Sequence, residues 1–194
     1  EIENYYSEEM FPEIKKYMAV RFLWSLSRII DKIDNKDFQK TYKELLENYK
    51  KDLEETLSES PYGVPQIHHM FGTGFRFMNV ANNYYYLYKK HPDIFEKDFI
   101  YNIAAYMHGN HPVSNHSLVN GVGAKSITSA YGINRADFSY IPGGICAGPL
   151  IVRPDFIEFR TEDPFFWVQK EYTIYSGTSY VFLMMALEEI SGRE

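Results

Sequence analysis

The chain reads as a mainly α protein: a run of helical hairpins, then a long loop-rich region, then one last helix. Three observations carry that expectation. Apolar residues recur at spacings of three and four through the first hundred residues. No alternation of strands and helices marks a parallel sheet. The 62 residues from 109 to 170 hold seven of the twelve glycines and five of the nine prolines. With 194 residues and 22.8 kDa, the chain can bury one sizeable core and is expected to form a single domain.

Met10, Ile14, Tyr17, Met18, Phe22, Ile29 and Ile33 approximate one stripe, so the spacing predicts a long helix over residues 8–33. Asp34-Asn35 breaks it, and Asn35 suits a helix cap. Phe38, Tyr42, Leu45, Tyr49, Leu53 and Leu57 predict the second helix, with the intervening Lys and Glu, including the acidic run 52–59, as a solvated face. Residues 58–65 form a turn-rich break. Phe75, Met78, Asn82, Tyr85 and Tyr88 predict a third helix that stops before His91-Pro92. A fourth covers 95–108, with Phe99, Ile103 and Met107 on one side. A connection as long as 109–170 is usually functional when ordered. Short strands are expected near 118–122 and 145–152. The last helix, 180–190, is apolar nearly all round, which predicts burial on every side. The domain therefore divides into helical hairpins (1–108), loops (109–170) and a closing helix with the residues just before it (171–190).

Composition narrows the function. Hydrophobic residues at 45% and charged residues at 24% are ordinary for a soluble globular protein. A net charge of −6 and a pI near 5.6 argue against nucleic acid as a partner, because phosphate binding needs a basic surface. No apolar run approaches the length of a membrane span, and no secretory signal opens the chain. Because it begins at Glu1 rather than Met, a chain processed or cut from a longer protein is expected. The one cysteine, Cys146, excludes an internal disulfide and reads as a small buried apolar residue, since no nucleophile motif surrounds it. There are 17 Tyr and 14 Phe; most must be core, although a flat ring with a hydrogen-bonding tip also suits sugars.

Glu171 stands just before the last helix among Phe165, Phe166, Trp167, Tyr172 and Tyr175. A carboxyl group in apolar surroundings is expensive to ionise unless paired, so its pKa should move upward. A carboxylic acid still protonated near neutral pH is what cleavage of a glycosidic bond needs, because the leaving oxygen must receive a proton. An ordinary salt bridge or a helix N-terminal charge would place a Glu here equally well. His108-x-x-His111 has ligand-like spacing, but zinc needs three or four convergent ligands, so hydrogen bonding or sugar contact is the reading and no metal is expected. His68-His69 could line a cleft or pack in a loop. Tyr140 and Trp167 could stack on a sugar or fill the core, and Asp137 is read as a turn cap.

Several segments share an order with one family. They are Ser60-Pro61-Tyr62-Gly63-Val64-Pro65, Phe71-Gly72-Thr73-Gly74, Tyr106-Met107-His108-Gly109-Asn110-His111-Pro112, Ser117-Leu118-Val119-Asn120-Gly121-Val122-Gly123, Arg135, and Pro142-Gly143-Gly144 through Ala147-Gly148-Pro149. Glu171 with Ile174 closes the series. In this order and spacing, over about residues 60–190, the chain resembles the C-terminal part of glycoside hydrolase family 9, the cellulase-type enzymes. Arg135 falls on the arginine of that family's His-His-Arg substrate-binding motif, and Glu171 on its catalytic acid in Asn-Glu-x-x-Ile.

The resemblance implies part of an (α/α)6 toroid, of which this chain supplies about five helices. It implies inverting hydrolysis of glycosidic bonds in a polysaccharide or oligosaccharide, with Glu171 as general acid and no cofactor. Substrate-binding roles are implied for Arg135, Asn110, His111, Asn134, His68 and Tyr140. The Asp pair that activates water in that family has no counterpart here, so the chain is expected to be the C-terminal portion of a larger enzyme, inactive alone. Its partners would be a carbohydrate and either the remainder of the parent polypeptide or a second copy, with neither nucleic acid nor membrane involved. A secreted or periplasmic location is implied. Ile133-Asn134 in place of two histidines, Gln169-Lys170 before the acid and Ser176-Gly177 after it depart from the family and leave the glycan open. A non-catalytic glycan-binding or scaffolding domain of the same fold, or a polysaccharide lyase, remain the alternatives.

Overall fold

The computed structural model describes residues 20–65, 73–111, 116–128, 131–132, 140–148 and 171–192. Five α-helices make up most of it: α1 Val20–Ser27, α2 Lys36–Ser58, α3 Thr73–Lys90, α4 Asp98–Met107 and α5 Ile174–Ser191. Among the described residues, four two-residue strands lie between α4 and α5: β1 His116–Ser117, β2 Lys125–Ser126, β3 Tyr131–Gly132 and β4 Glu171–Tyr172.

The first predicted helix, where described, is shorter than expected. Beyond Ser27 the ladder tightens: Arg28 and Ile29 donate to Ser25 and Leu26, and the Ser27 hydroxyl takes the Trp24 carbonyl at 2.7 Å. Only a 3-10 turn, Ile30–Lys32, follows. A side-chain hydroxyl that competes for a helix carbonyl in this way loosens the regular ladder. Asn35 then caps α2 as expected, its Oδ1 accepting from the backbone N–H of Asp37 and Phe38, both at 3.1 Å. The inner face of α2 is Phe38, Tyr42, Leu46, Tyr49 and Leu53, and the expected Leu45 packs half-buried against the same core beside Leu46.

Helix α3 is the hub and packs against α1, α4 and α5. Its buried residues Phe77, Met78, Ala81 and Leu87 meet Leu23 and Leu26 of α1, Ile100, Ile103 and Met107 of α4, and Leu183 of α5 in one core. The rings of Phe77 and Tyr106 meet edge-on at 4.9 Å. Tyr84 staples the α3–α4 connection, its hydroxyl donating to the Glu96 carbonyl (3.1 Å) and accepting from the Glu96 N–H (3.0 Å). Helix α4 begins three residues after the expected start and buries Phe99, Ile103 and Met107 together, as the spacing predicted.

Helix α5 starts six residues earlier than expected, because Thr173 caps it: the Thr173 Oγ1 accepts from Ser176 N–H at 3.2 Å. The expected burial on every side needs correcting. Ser176, Ser179, Leu183 and Ala186 are buried, while Ile174, Val181 and Met185 on the opposite face are exposed. The reason is that α3 and α4 cover α5 from one side only. The strands also differ from expectation: residues 119 and 145 form an isolated bridge, and the paired strands are β1 with β2 and β3 with β4, both parallel. Among the described residues no helix is long and apolar enough to cross a membrane.

Candidate active site

A chain of backbone hydrogen bonds carries the loops from the end of α4 to Glu171. Leu118 N–H donates to the Met107 carbonyl (2.8 Å), and Cys146 N–H to the Leu118 carbonyl (2.9 Å). Ala147 N–H then donates to the Glu171 carbonyl (3.0 Å), while Gly74 N–H at the start of α3 donates to the Ala147 carbonyl (2.9 Å). Antiparallel bridges Val119–Ile145 and Cys146–Tyr172 run alongside, and β3 holds the other side of Glu171 through the register Tyr131–Glu171. Gly74 is required where it stands, since a Cβ there would lie 2.9 Å from the Ala147 carbonyl oxygen. Glu171 is thus fixed from α3, from two loops and from the start of α5.

The Glu171 side chain is 9% exposed, and no hydrogen bond or ion pair to its carboxylate occurs among the described residues. Burial pushes its pKa above the usual carboxylate value. A carboxyl group shifted in this direction is a weaker acid than a solvated one.

Other expected site residues are placed as follows. Asn110 is exposed at the end of α4, its N–H donating to the Ala105 carbonyl at 2.9 Å. His111 is buried against the Tyr106 ring, 5.2 Å between centroids, and its Nε2–H donates to the His116 carbonyl at 2.7 Å, so its imidazole ties the two sides of the loop. Tyr140 is exposed over Gly121, where a Cβ would collide with its hydroxyl; Gly121 also has a positive φ of 77°. His68, Asn134 and Arg135 lie outside the described residues, as do His69, Asp137 and Trp167. His108 is not paired with His111: its Nε2 lies 2.7 Å from the Tyr180 hydroxyl, joining the end of α4 to α5. Burial lowers the His108 pKa and raises that of Tyr180. Among the described residues no cluster of three or more His, Cys, Asp or Glu could hold a metal ion.

Sequence reading did not single out Tyr180, Asn79, Asn82 or Asn120. Asn82 Nδ2 donates to the Ser179 carbonyl at 3.0 Å, and Asn79 Oδ1 accepts from Tyr175 and Ser179. Two asparagines within the apolar spacing of α3, opposite Ser176 and Ser179 of α5, were the available signal for a polar seam. Asn120 is 1% exposed, and its side-chain amide meets no hydrogen-bond partner among the described residues.

No protein-family model matches the sequence, and no curated protein is significantly similar to it. Solved structures are similar in fold. AaCel9A in complex with a cellobiose-like isofagomine matches with a TM-score of 0.67 at 18% identity, over 89% of this chain and 36% of that one. A single mutant of a thermostable endoglucanase from Alicyclobacillus acidocaldarius matches with a TM-score of 0.68 at 18% identity, over the same shares of 89% and 36%. A zinc-binding triple mutant of the glycoside hydrolase family 9 endoglucanase J30 gives 0.65 at 16% identity, over 94% of this chain and 38% of that one. This chain therefore has the fold of part of the helical toroid of glycoside hydrolase family 9 endoglucanases, and it spans 36% to 38% of the length of these matched proteins.

Proposed function

We propose that the chain is one part of an inverting glycoside hydrolase toroid, its C-terminal portion, in which Glu171 is the general acid. The observation that carries this is a buried carboxyl group with a raised pKa, fixed at the head of α5 in a fold otherwise met in endoglucanases. In the reaction, Glu171 gives its proton to the leaving glycosidic oxygen as the anomeric C–O bond breaks. A carboxylate from outside this chain takes a proton from water, whose oxygen attacks the opposite face of the sugar. The substrate is a polysaccharide or oligosaccharide, with Asn110, His111 and Tyr140 near the loops and His68, Asn134 and Arg135 completing the proposed contacts. The exposed stripe of Ile174, Val181 and Met185 on α5 is where further toroid helices would pack. A secreted or periplasmic setting fits this reading.

The test is Glu171→Gln in a protein that joins this chain to the rest of the toroid. General acid catalysis is worth about 10²–10⁴-fold, so turnover on substrates with poor leaving groups should fall by that factor. An activated aryl glycoside, whose leaving group hardly needs a proton, should be affected far less. Proton NMR of the first products should show inverted anomers. Equal loss on both kinds of leaving group would make Glu171 structural, and retained configuration would exclude inversion. The alternative lyase reading has one observation behind it, the close His108–Tyr180 pair; an unsaturated product in the same assay would assign the chemistry there. Saturable sugar binding with no turnover by the joined protein would favour a glycan-binding domain.

A further inference from the structure

Tyr175 combines exposure with restraint. Its side chain is 61% exposed, yet its hydroxyl donates to Asn79 Oδ1 of α3 at 2.9 Å, across 96 residues of sequence. Asn79 is itself held, because the Ser179 hydroxyl donates to the same oxygen at 3.3 Å. A carbonyl oxygen has two lone pairs, and both are used. A surface hydrogen bond of this kind adds little to folding, since water would serve the hydroxyl nearly as well. What it does determine is the direction of the ring. Fixing a side chain before binding removes the ordering cost that a ligand would otherwise meet.

The location gives that ring a use. Tyr175 lies on the first turn of α5, four residues beyond Glu171, so chain geometry limits their Cα separation to about 14 Å. The path between them is also fixed, with Glu171–Tyr172 in β4 and Thr173 capping the helix. No charged residue occurs in α5 from position 174 to 187. A flat apolar face that cannot rotate, with its hydroxyl at the edge, matches the apolar C–H face of a pyranose ring.

We propose that Tyr175 is a sugar-stacking platform that positions a pyranose unit of the glycan next to Glu171, with Asn79 holding the ring in register. This rests on the glycan reading above and adds a specificity-determining residue to it.

The experiment titrates the protein that joins this chain to the rest of the toroid, wild type and variants, with cellotetraose, following the sugar protons by NMR. Wild type should bind saturably, and C–H protons of one sugar unit should shift upfield under the ring current. Tyr175→Ala should raise Kd by about tenfold or more and abolish that upfield shift. Tyr175→Phe keeps the ring but loses the bond to Asn79, as Asn79→Ala does; each should raise Kd by a similar factor, smaller than that of Tyr175→Ala, while leaving the circular dichroism unchanged. Wild-type affinity and an unchanged upfield shift in Tyr175→Ala would overturn the platform and leave the glycan reading standing. No saturable binding of cellotetraose, xylotetraose or mannotetraose by the wild type would overturn both.

Discussion

Two buried tyrosines show how much a single hydroxyl depends on its surroundings. The Tyr84 hydroxyl makes both of its bonds to the backbone of Glu96, and burial pushes its pKa up to about 12. The Tyr49 hydroxyl is buried without a hydrogen-bond partner among the described residues, and burial likewise holds its pKa far above the usual phenol range. Removing the hydroxyl should therefore act in opposite directions. Tyr84→Phe should cost about 1–2 kcal/mol in urea unfolding, because a donor and an acceptor of Glu96 lose their partner. Tyr49→Phe should leave stability unchanged or raise it by up to about 1 kcal/mol, since an unmet polar group leaves the core. Glu171 adds a pH dependence whose sign follows from its raised pKa. Between the unfolded value near 4.5 and the higher folded value, the folded state holds more protons. Stability should thus be full below the unfolded value and fall as pH rises through the folded one. Glu171→Gln should match the wild type in acid and exceed it at neutral pH. A variant that loses stability at neutral pH would mean that the ionised carboxylate is the favoured form.

At the scale of elements, the contact between α3 and the Gly/Pro-rich loops governs the site. Gly74 lies in the first turn of α3, where helix propensity alone favours Ala by about 1 kcal/mol. Its missing Cβ is nevertheless what lets Ala147 approach, with the carbonyl of Ala147 on Gly74 and its N–H on Glu171. Gly74→Ala should therefore destabilise the chain, by about 1–3 kcal/mol in denaturant melts, because the added methyl group pushes against backbone rather than a movable side chain. Hydrogen exchange at the Ala147 amide should speed up in the same variant. A net stabilisation would show that the loop yields to the helix.

For the whole molecule, the central question is what the outer face of α5 means. The helix has an apolar composition all round, yet α3 and α4 cover only one side. Ile174, Val181 and Met185 form an exposed stripe one and two turns apart, of the kind that marks an interaction surface. In light scattering the wild-type chain should associate as its concentration rises. Val181→Lys with Met185→Lys should suppress that association while leaving the unfolding midpoint within about 0.5 kcal/mol of wild type, as exposed positions do. A monomer at every concentration would separate this face from any packing role.

The sequence by itself determined the helices and the residue on which the functional reading rests. Spacings of three and four placed α2, α3 and α4 to within a few residues, and Asn35 marked a cap, because helix periodicity and capping are local properties. The order of the loop motifs and an acidic residue among aromatics singled out Glu171. Only the tertiary structure decided how these parts act together. It ended α1 at Ser27, where a side chain took a helix carbonyl, and it began α5 at Ile174 by a threonine cap that apolar spacing does not register. It tied His111 into a loop, joined His108 to Tyr180, and left one face of an apolar helix open. Those outcomes depend on which residues distant in sequence meet, and periodicity carries no information about that. Even the raised pKa of Glu171, foreseen from its neighbours in sequence, comes from its burial in the fold.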